Sequence, residues 1–222
     1  MSVREFNDDA TWLEARKKIV TATEMPCVLG LDKYKSAEKM FRDKGGGTFF
    51  GNAYTTIGQL LEPVVVSATN LMLNTDFQLY DQQAHKVMYI NDDIGMGATP
   101  DAYSKSLDCL LECKTTLPHN YRMWHDHPPV KYLVQLHTQM ICTGIDVGYL
   151  SIMSTNLAQS SPVLDMPLSV HKVYANDLIS DYIKSEVVRF WETKSEGKVF
   201  RSRKKDSELI ELYIRMNMEK IL

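Results

Sequence analysis

The segment that most constrains this chain is Leu110-Leu111-Glu112-Cys113-Lys114, two charged residues set into an apolar strand-like run. Side chains alternate across a strand, so Glu112 and Lys114 share one face, about 7 Å apart along the chain, while Leu111 and Cys113 share the other. Burying an acid and a lysine among apolar neighbours is costly unless other groups compensate. Upstream stands Gly97-Ala98-Thr99-Pro100-Asp101, which holds the only Pro-Asp pair in the chain. Two acids and a lysine at this spacing suit a hard divalent cation, which takes carboxylate oxygens and keeps several waters. On its own, P-D…E-x-K also fits a turn aspartate and a surface ion pair of little energetic weight. The apolar strand context favours the chemical reading.

The rest of the chain has the makings of a sheet around this segment. Asp8 or Asp9 caps a first helix reaching about Ile19, and Thr21-Ala22-Thr23-Glu24 opens a short second helix that Gly30 ends. Ser36 caps a third over 37–44. Gly45-Gly46-Gly47 is a loop, and a long helix runs from Thr55 or Thr56 to about Asn74 with Pro63 inside it, a kink signal. From residue 77 the period changes to that of strands: 77–81, 86–91, 94–101 and 109–115. Residues 118–129, with three prolines and three histidines, read as a loop. A helix over 130–143 ends at Gly144, strands follow over 147–153 and 168–174, and Asn176 caps a helix to about Thr193. Lys198–Lys205 is a basic connector. Asp206 or Ser207 caps a last helix with Leu209, Leu212, Tyr213 and Met216 on one face.

The expected fold is therefore α/β, a mixed central sheet flanked by helices, in a single domain over 1–222. It comprises N-terminal helices (8–75), a sheet core (77–175) and C-terminal helices (176–222). With 222 residues, 44% apolar and 24% charged, the chain is long enough for a full core and has no disordered or fibrous composition. No apolar run approaches a membrane span, and the N-terminal residues have no secretory h-region, so the expected location is cytoplasmic, with no membrane partner. A net charge of −3 argues against a polyanion binder held by bulk charge, leaving a local basic groove or bound metal ions for any nucleic acid. The cysteines at 27, 109, 113 and 142 show no metal-site spacing and read as buried thiols.

Four blocks in order carry a resemblance to a known family. They are Trp12…Arg16…Ile19-Val20-Thr21-Ala22-Thr23-Glu24, then Gly58…Glu62-Pro63, then Thr99-Pro100-Asp101…Glu112-x-Lys114. The last is Tyr132-Leu133-Val134-Gln135-Leu136-His137-Thr138-Gln139-Met140. Over about residues 12 to 182 the chain resembles the lambda exonuclease-like, YqaJ-type viral recombinase family of the PD-(D/E)XK nuclease superfamily, and so a restriction-endonuclease-like core. The resemblance implies that Asp101 and Glu112 hold Mg²⁺ (or Mn²⁺), with the backbone carbonyl of Cys113 a third donor. It makes Lys114 act on the attacking water, brings Glu62 to the metal from the long helix, and has Gln135 line the site. Arg16, Thr23 and Thr99 match positions that hold a DNA 5′-phosphate. The family has an arginine after the E-x-K strand that also holds this phosphate; here Arg122 is the nearest candidate, two residues displaced. A second family glutamine is His137 here, about 160° around the helix from Gln135, so His137 is expected to be peripheral.

The implied activity is 5′→3′ exonuclease digestion of double-stranded DNA from its ends, leaving a 3′ single strand for phage-type annealing recombination. The implied partners are DNA ends, two further copies in a homotrimeric ring, and a single-strand annealing protein, in a phage-infected or prophage-bearing bacterium. The alternatives are a site-specific endonuclease of the same superfamily and a non-catalytic DNA-binding module on this fold. The iron–sulfur nuclease type is rejected, since no cysteine follows Cys142. Other features keep plainer readings. His125-Asp126-His127 reads as a surface turn, the Lys198–Lys205 run as a solvated connector or a phosphate-tracking patch, and the twelve methionines mostly as core filler.

Overall fold

A computed structural model describes residues 1–44, 53–80, 86–155 and 167–222. Gly45-Gly46-Gly47 and Asp81 lie outside the described residues. In chain order the elements are β1 (Ser2–Phe6), α1 (Asp9–Lys17), β2 (Val20–Thr21), α2 (Met25–Val28), α3 (Ala37–Asp43), α4 (Ala53–Leu73), β3 (Gln78–Leu79), β4 (Lys86–Asn91) and β5 (Met96–Ala98). There follow β6 (Ala102–Ser104), β7 (Cys109–Thr116), α5 (Pro118–Trp124), α6 (Val130–Thr143), β8 (Val147–Ser154), β9 (Leu168–Tyr174), α7 (Asp177–Ser195), α8 (Lys204–Met216) and β10 (Met218–Lys220).

The strands form two mixed sheets, ordered β10-β9-β8-β7-β6-β3 and β1-β4-β5-β2. In the larger, β7 and β8 run parallel, with Glu112 opposite Leu150 and Lys114 opposite Ile152; β6 pairs antiparallel with β7. The expected strand over 94–101 is shortened to β5, which belongs to the smaller sheet, and β6, beyond that range, belongs to the larger. Pro100 has no N–H to give to a ladder, so pairing stops there and the chain changes sheets. That crossing sets Asp101 at the junction beside β7.

The alternation along β7 is as the sequence requires. Leu110 joins a core with Leu133 and Leu136 of α6 and with Leu150 and Ile152 of β8. Leu111 and Cys113 join a second core with Val65 and Val66 of α4. Each fully buried leucine or valine contributes about 1.5–3 kcal/mol, so β7 is held firmly from both faces. α6 lies close on β8 because Gly148 has no side chain: a Cβ there would stand 2.6 Å from Leu136 Cδ1. Gly144, at φ 75°, ends α6 in the left-handed conformation, its N–H on the Met140 carbonyl.

Several local expectations are corrected. Residues 118–124 are a helix, not a loop, because Pro118 sits in the first turn, where a missing N–H costs nothing. Thr21 is in a strand, and the following helix starts at Met25; the Glu24 carboxylate folds back onto the Thr21 N–H and hydroxyl, both at 2.9 Å. β1 and β10 were not anticipated: each is a short, largely exposed strand with little apolar alternation to announce it. The last helix begins at Lys204, with neither Asp206 nor Ser207 as its cap. It packs through Ile210 and Ile214, whereas Leu209, Leu212 and Met216 are exposed. The packing face follows the i, i+4 pair that meets the core. Among the described residues no helix is long and apolar enough to cross a membrane, and all four cysteines are free and buried.

Candidate active site

β7 and α6 together build the floor of the site. Glu112 is fully buried yet carries three donors. Gln135 Nε2 donates to Oε1 at 2.6 Å, Gln139 Nε2 donates to Oε2 at 2.5 Å, and Lys114 Nζ donates to Oε1. Gln135 and Gln139 are four residues apart, one above the other on α6. Gln139 was missed in the sequence, although that i, i+4 spacing was the available signal. An ionised carboxylate offers about four lone-pair positions. Three are taken, and one remains.

Asp101 reaches the same floor from the sheet junction. Its Oδ2 accepts the Cys113 backbone N–H at 2.7 Å, which locks the two segments of the motif together. Burial raises the Asp101 carboxyl well above the usual carboxylate range, the nearby Glu112 charge raises it further, and Glu62 adds a smaller push. Burial acts on Lys114 in the opposite sense, but Glu112 and Asp101 outweigh it and hold the ammonium protonated above its ordinary range. Burial also raises the Cys113 thiol, whose side chain packs in the apolar core with Val65 and Val66.

These groups open into a cleft of about 1610 Å³ whose lining includes Glu62, Asp101, Lys114 and Gln135. One wall is built on α1. Trp12 lies beneath two cations, with Arg16 Cζ 4.5 Å and Lys86 Nζ 4.1 Å from its ring centre. Its Nε1 donates to Thr99 Oγ1 at 3.5 Å, and Arg16 donates to Thr21 Oγ1 at 3.5 Å. Burial lowers the Arg16 pKa, partly countered by Glu24. Among the described residues no carboxylate lies within ion-pair distance of this guanidinium. Thr23 also lines the cleft. Lys86, which no local motif singles out, pairs with Asp9 at 3.2 Å.

Arg122 is not brought to this site. It is exposed on α5, whereas His119, Asn120 and Met123 of that helix line the cleft. The helix that replaces the expected loop turns Arg122 away. His137 is fully buried on the other side of α6, 3.4 Å from Ser180 Oγ, as its helical phase predicts. The Lys198–Lys205 run is tied down in part, with Arg203 3.5 Å from the buried Glu186 and the Arg201 carbonyl accepting from Arg189. Asp126 is bound by Lys220 at 2.6 Å and lies 2.9 Å from His125, so the His-Asp-His turn is occupied by surface pairing.

Among the described residues no three His, Cys, Asp or Glu side chains form a ready-made metal cage. The donor set nevertheless fits Mg²⁺, which commonly uses one or two carboxylates and completes its shell with water and substrate phosphate. A remaining lone pair on Glu112 and a second, strongly desolvated carboxylate on Asp101 call for a positive charge between them.

Solved structures share this fold. The alkaline exonuclease LHK-Exo from Laribacter hongkongensis superposes with a TM-score of 0.62 at 22% identity, over 93% of this chain and 96% of that one. A phage-related exonuclease from Haemophilus somnus 129PT gives 0.60 at 15% identity, over 81% and 96%. The chain thus shares the mixed α/β fold of these two proteins. No curated protein matches the chain. The model of the YqaJ-like viral recombinase domain matches residues 11–146. That span carries the Trp12–Arg16 wall, the Asp101–Glu112–Lys114 floor and both glutamines of α6, and it is more than half of the chain: this protein belongs to the YqaJ-like viral recombinase family.

Proposed function

We propose that the protein is a Mg²⁺-dependent 5′→3′ exonuclease. It digests one strand of double-stranded DNA from its ends and leaves a 3′ single strand for annealing-type recombination in a phage or prophage setting. The observation that carries this reading is the convergence of Asp101 and Lys114 on one large cleft with cationic and aromatic walls, with the buried Glu112 bonded to Lys114 and Gln135 directly beneath. Two proteins sharing the fold, an alkaline exonuclease and a phage-related exonuclease, agree with it.

Asp101 and Glu112, with the Cys113 carbonyl, would hold the cation, which Mn²⁺ also suits. A cation held by these residues would supply polarisation of the scissile phosphodiester and a lowered pKa for the attacking water. Gln135 and Gln139 fix the Glu112 carboxylate, so its remaining lone pair has one direction. Lys114, held as an ammonium, orients the water and offsets negative charge developing on the phosphoryl oxygens. Glu62 faces the same cleft from α4 and adds negative charge that favours cation binding. Arg16, Thr23 and Thr99 receive the 5′-phosphate, the guanidinium by charge-assisted hydrogen bonds. Three copies in a ring around DNA, and a single-strand annealing protein taking up the product, complete the proposal.

The test is a time course in Mg²⁺ on a 5′-labelled linear duplex, the same duplex labelled at its 3′ ends, and a closed circle. Early release of the 5′ label, gradual shortening of the 3′-labelled strand and survival of the circle are expected. A cut circle would instead make the protein an endonuclease. No cleavage with Mg²⁺ or Mn²⁺ would leave a DNA-binding module.

A further inference from the structure

A second set of groups in the cleft has no part in the chemistry above. Tyr34 is 86% exposed and projects from the loop between α2 and α3 into the cleft lining. The loop itself is fixed. Asp32 Oδ1 accepts the N–H groups of Tyr34 at 2.7 Å and Lys35 at 3.0 Å, the Asp32 N–H donates to the Pro26 carbonyl at 3.2 Å, and Lys35 pairs with Asp43 at 3.1 Å. A large aromatic side chain is therefore held in water on a pre-formed turn. Lys131 Nζ stands 4.9 Å from the Tyr34 ring centre and 5.0 Å from that of Tyr132. Tyr132 in turn lies 5.4 Å from Lys114 Nζ and packs edge-on against Trp124. Cations and rings thus alternate from the catalytic lysine to the cleft's rim, and Lys33 adds a further positive charge to the lining.

From this arrangement we propose that Tyr34 is a stacking platform for an unpaired nucleotide at the end of a DNA duplex, with Lys131 holding that nucleotide's phosphate. The inference rests on the nuclease reading and deepens it by naming what the cleft recognises. Bases inside a duplex already stack on both faces and present no free ring. A terminal base that frays presents one, and every base has a π-face, so such a platform accepts any sequence. Asp32, two residues before Tyr34, is engaged by its own turn, which leaves Lys131 and Lys33 to meet the phosphate.

The experiment uses wild-type protein in EDTA, where no cleavage competes, and duplexes with a single 5-iodouracil at the 5′ terminus, the 3′ terminus or the middle. After irradiation, cross-linked peptides are mapped by mass spectrometry. Cross-linking to Tyr34 is expected from a terminal label, at several times the yield from the central one. In the cleavage assay Tyr34→Ala should lose about ten-fold in kcat/KM on blunt duplex, mainly through KM, and Tyr34→Phe should stay within about two-fold of wild type. An exposed residue can be changed without loss of fold, which the unfolding midpoint will verify. Equal cross-linking from all three labels, cross-links that map elsewhere, or Tyr34→Ala matching wild type on blunt ends would overturn the platform while leaving the exonuclease intact. If the wild type cuts no DNA, the nuclease reading falls, and the cross-link pattern alone decides whether Tyr34 seats a terminal base.

Discussion

Replacing Gln139 by leucine takes one donor from a carboxylate that has no water to turn to. Glu112 is fully buried, and Gln139 Nε2 is the donor to its Oε2. Leucine has similar bulk, so the change removes a hydrogen bond and opens little cavity. A hydrogen bond to a charged group contributes about 1.5–3 kcal/mol. In a chain of this length that lowers Tm by roughly 3 to 12 °C. A double-mutant cycle in urea unfolding isolates the pair. With Glu112→Gln as background the lost bond is between neutral groups and costs only about 0.5–1.5 kcal/mol. A coupling of about 1 kcal/mol should therefore remain between positions 112 and 139. Activity should fall through kcat, because the carboxylate is no longer aimed. Additive effects within about 0.5 kcal/mol, or a Gln139→Leu variant as stable as wild type, would refute the idea that α6 orients Glu112.

Four further outcomes are expected. Lys114→Ala should abolish cleavage while leaving DNA-end affinity within a few-fold, checked by gel assay and anisotropy; retained cleavage would remove Lys114 from the mechanism. Arg16→Ala should narrow the rate gap between 5′-phosphorylated and 5′-hydroxyl ends, and an unchanged gap would place the phosphate elsewhere. Gly148→Ala should destabilise by about 1–3 kcal/mol, since its methyl group meets the Leu136 side chain; an unchanged urea midpoint would show that α6 yields freely. Burial lowers the pKa values of His137 and His171 to about 4. Below about pH 6.5 the unfolded chain binds protons that the native state refuses. Stability should therefore fall from there towards pH 4, by about 1.4 kcal/mol per pH unit for each histidine. A urea midpoint that stays level between pH 7 and pH 5 would contradict that, and His137→Gln should lessen the slope.

Much of the scaffold was legible because it depends on local chemistry. Alternation in 110–114 separates Glu112 and Lys114 from Leu111 and Cys113 in any strand. Asp8, Ser36 and Asn176 accept N–H groups at helix starts wherever those helices dock, and Gly144 ends α6 for the same local reason. The phase of α6 alone sets His137 apart from Gln135. Other features depend on what packs against what. That pairing stops before Pro100 and the chain changes sheets between β5 and β6 follows from competition for ladder partners, which no local pattern records, and this crossing brings Asp101 to Cys113. Whether 118–124 coils or forms a helix decides which way Arg122 faces. The exposed face of α8 was the more apolar one by periodicity, and the core took Ile210 and Ile214 instead. The sequence by itself determined the chemical inventory and the sidedness of β7 and α6, because alternation and helical phase are properties of adjacent residues. Only the tertiary structure decided that Gln139 would complete the Glu112 site, that Lys86 rather than Arg122 would join Arg16 at Trp12, and that Tyr34 would stand at the cleft. Those meetings join residues distant in the chain, and their closure is set by the packing of whole elements.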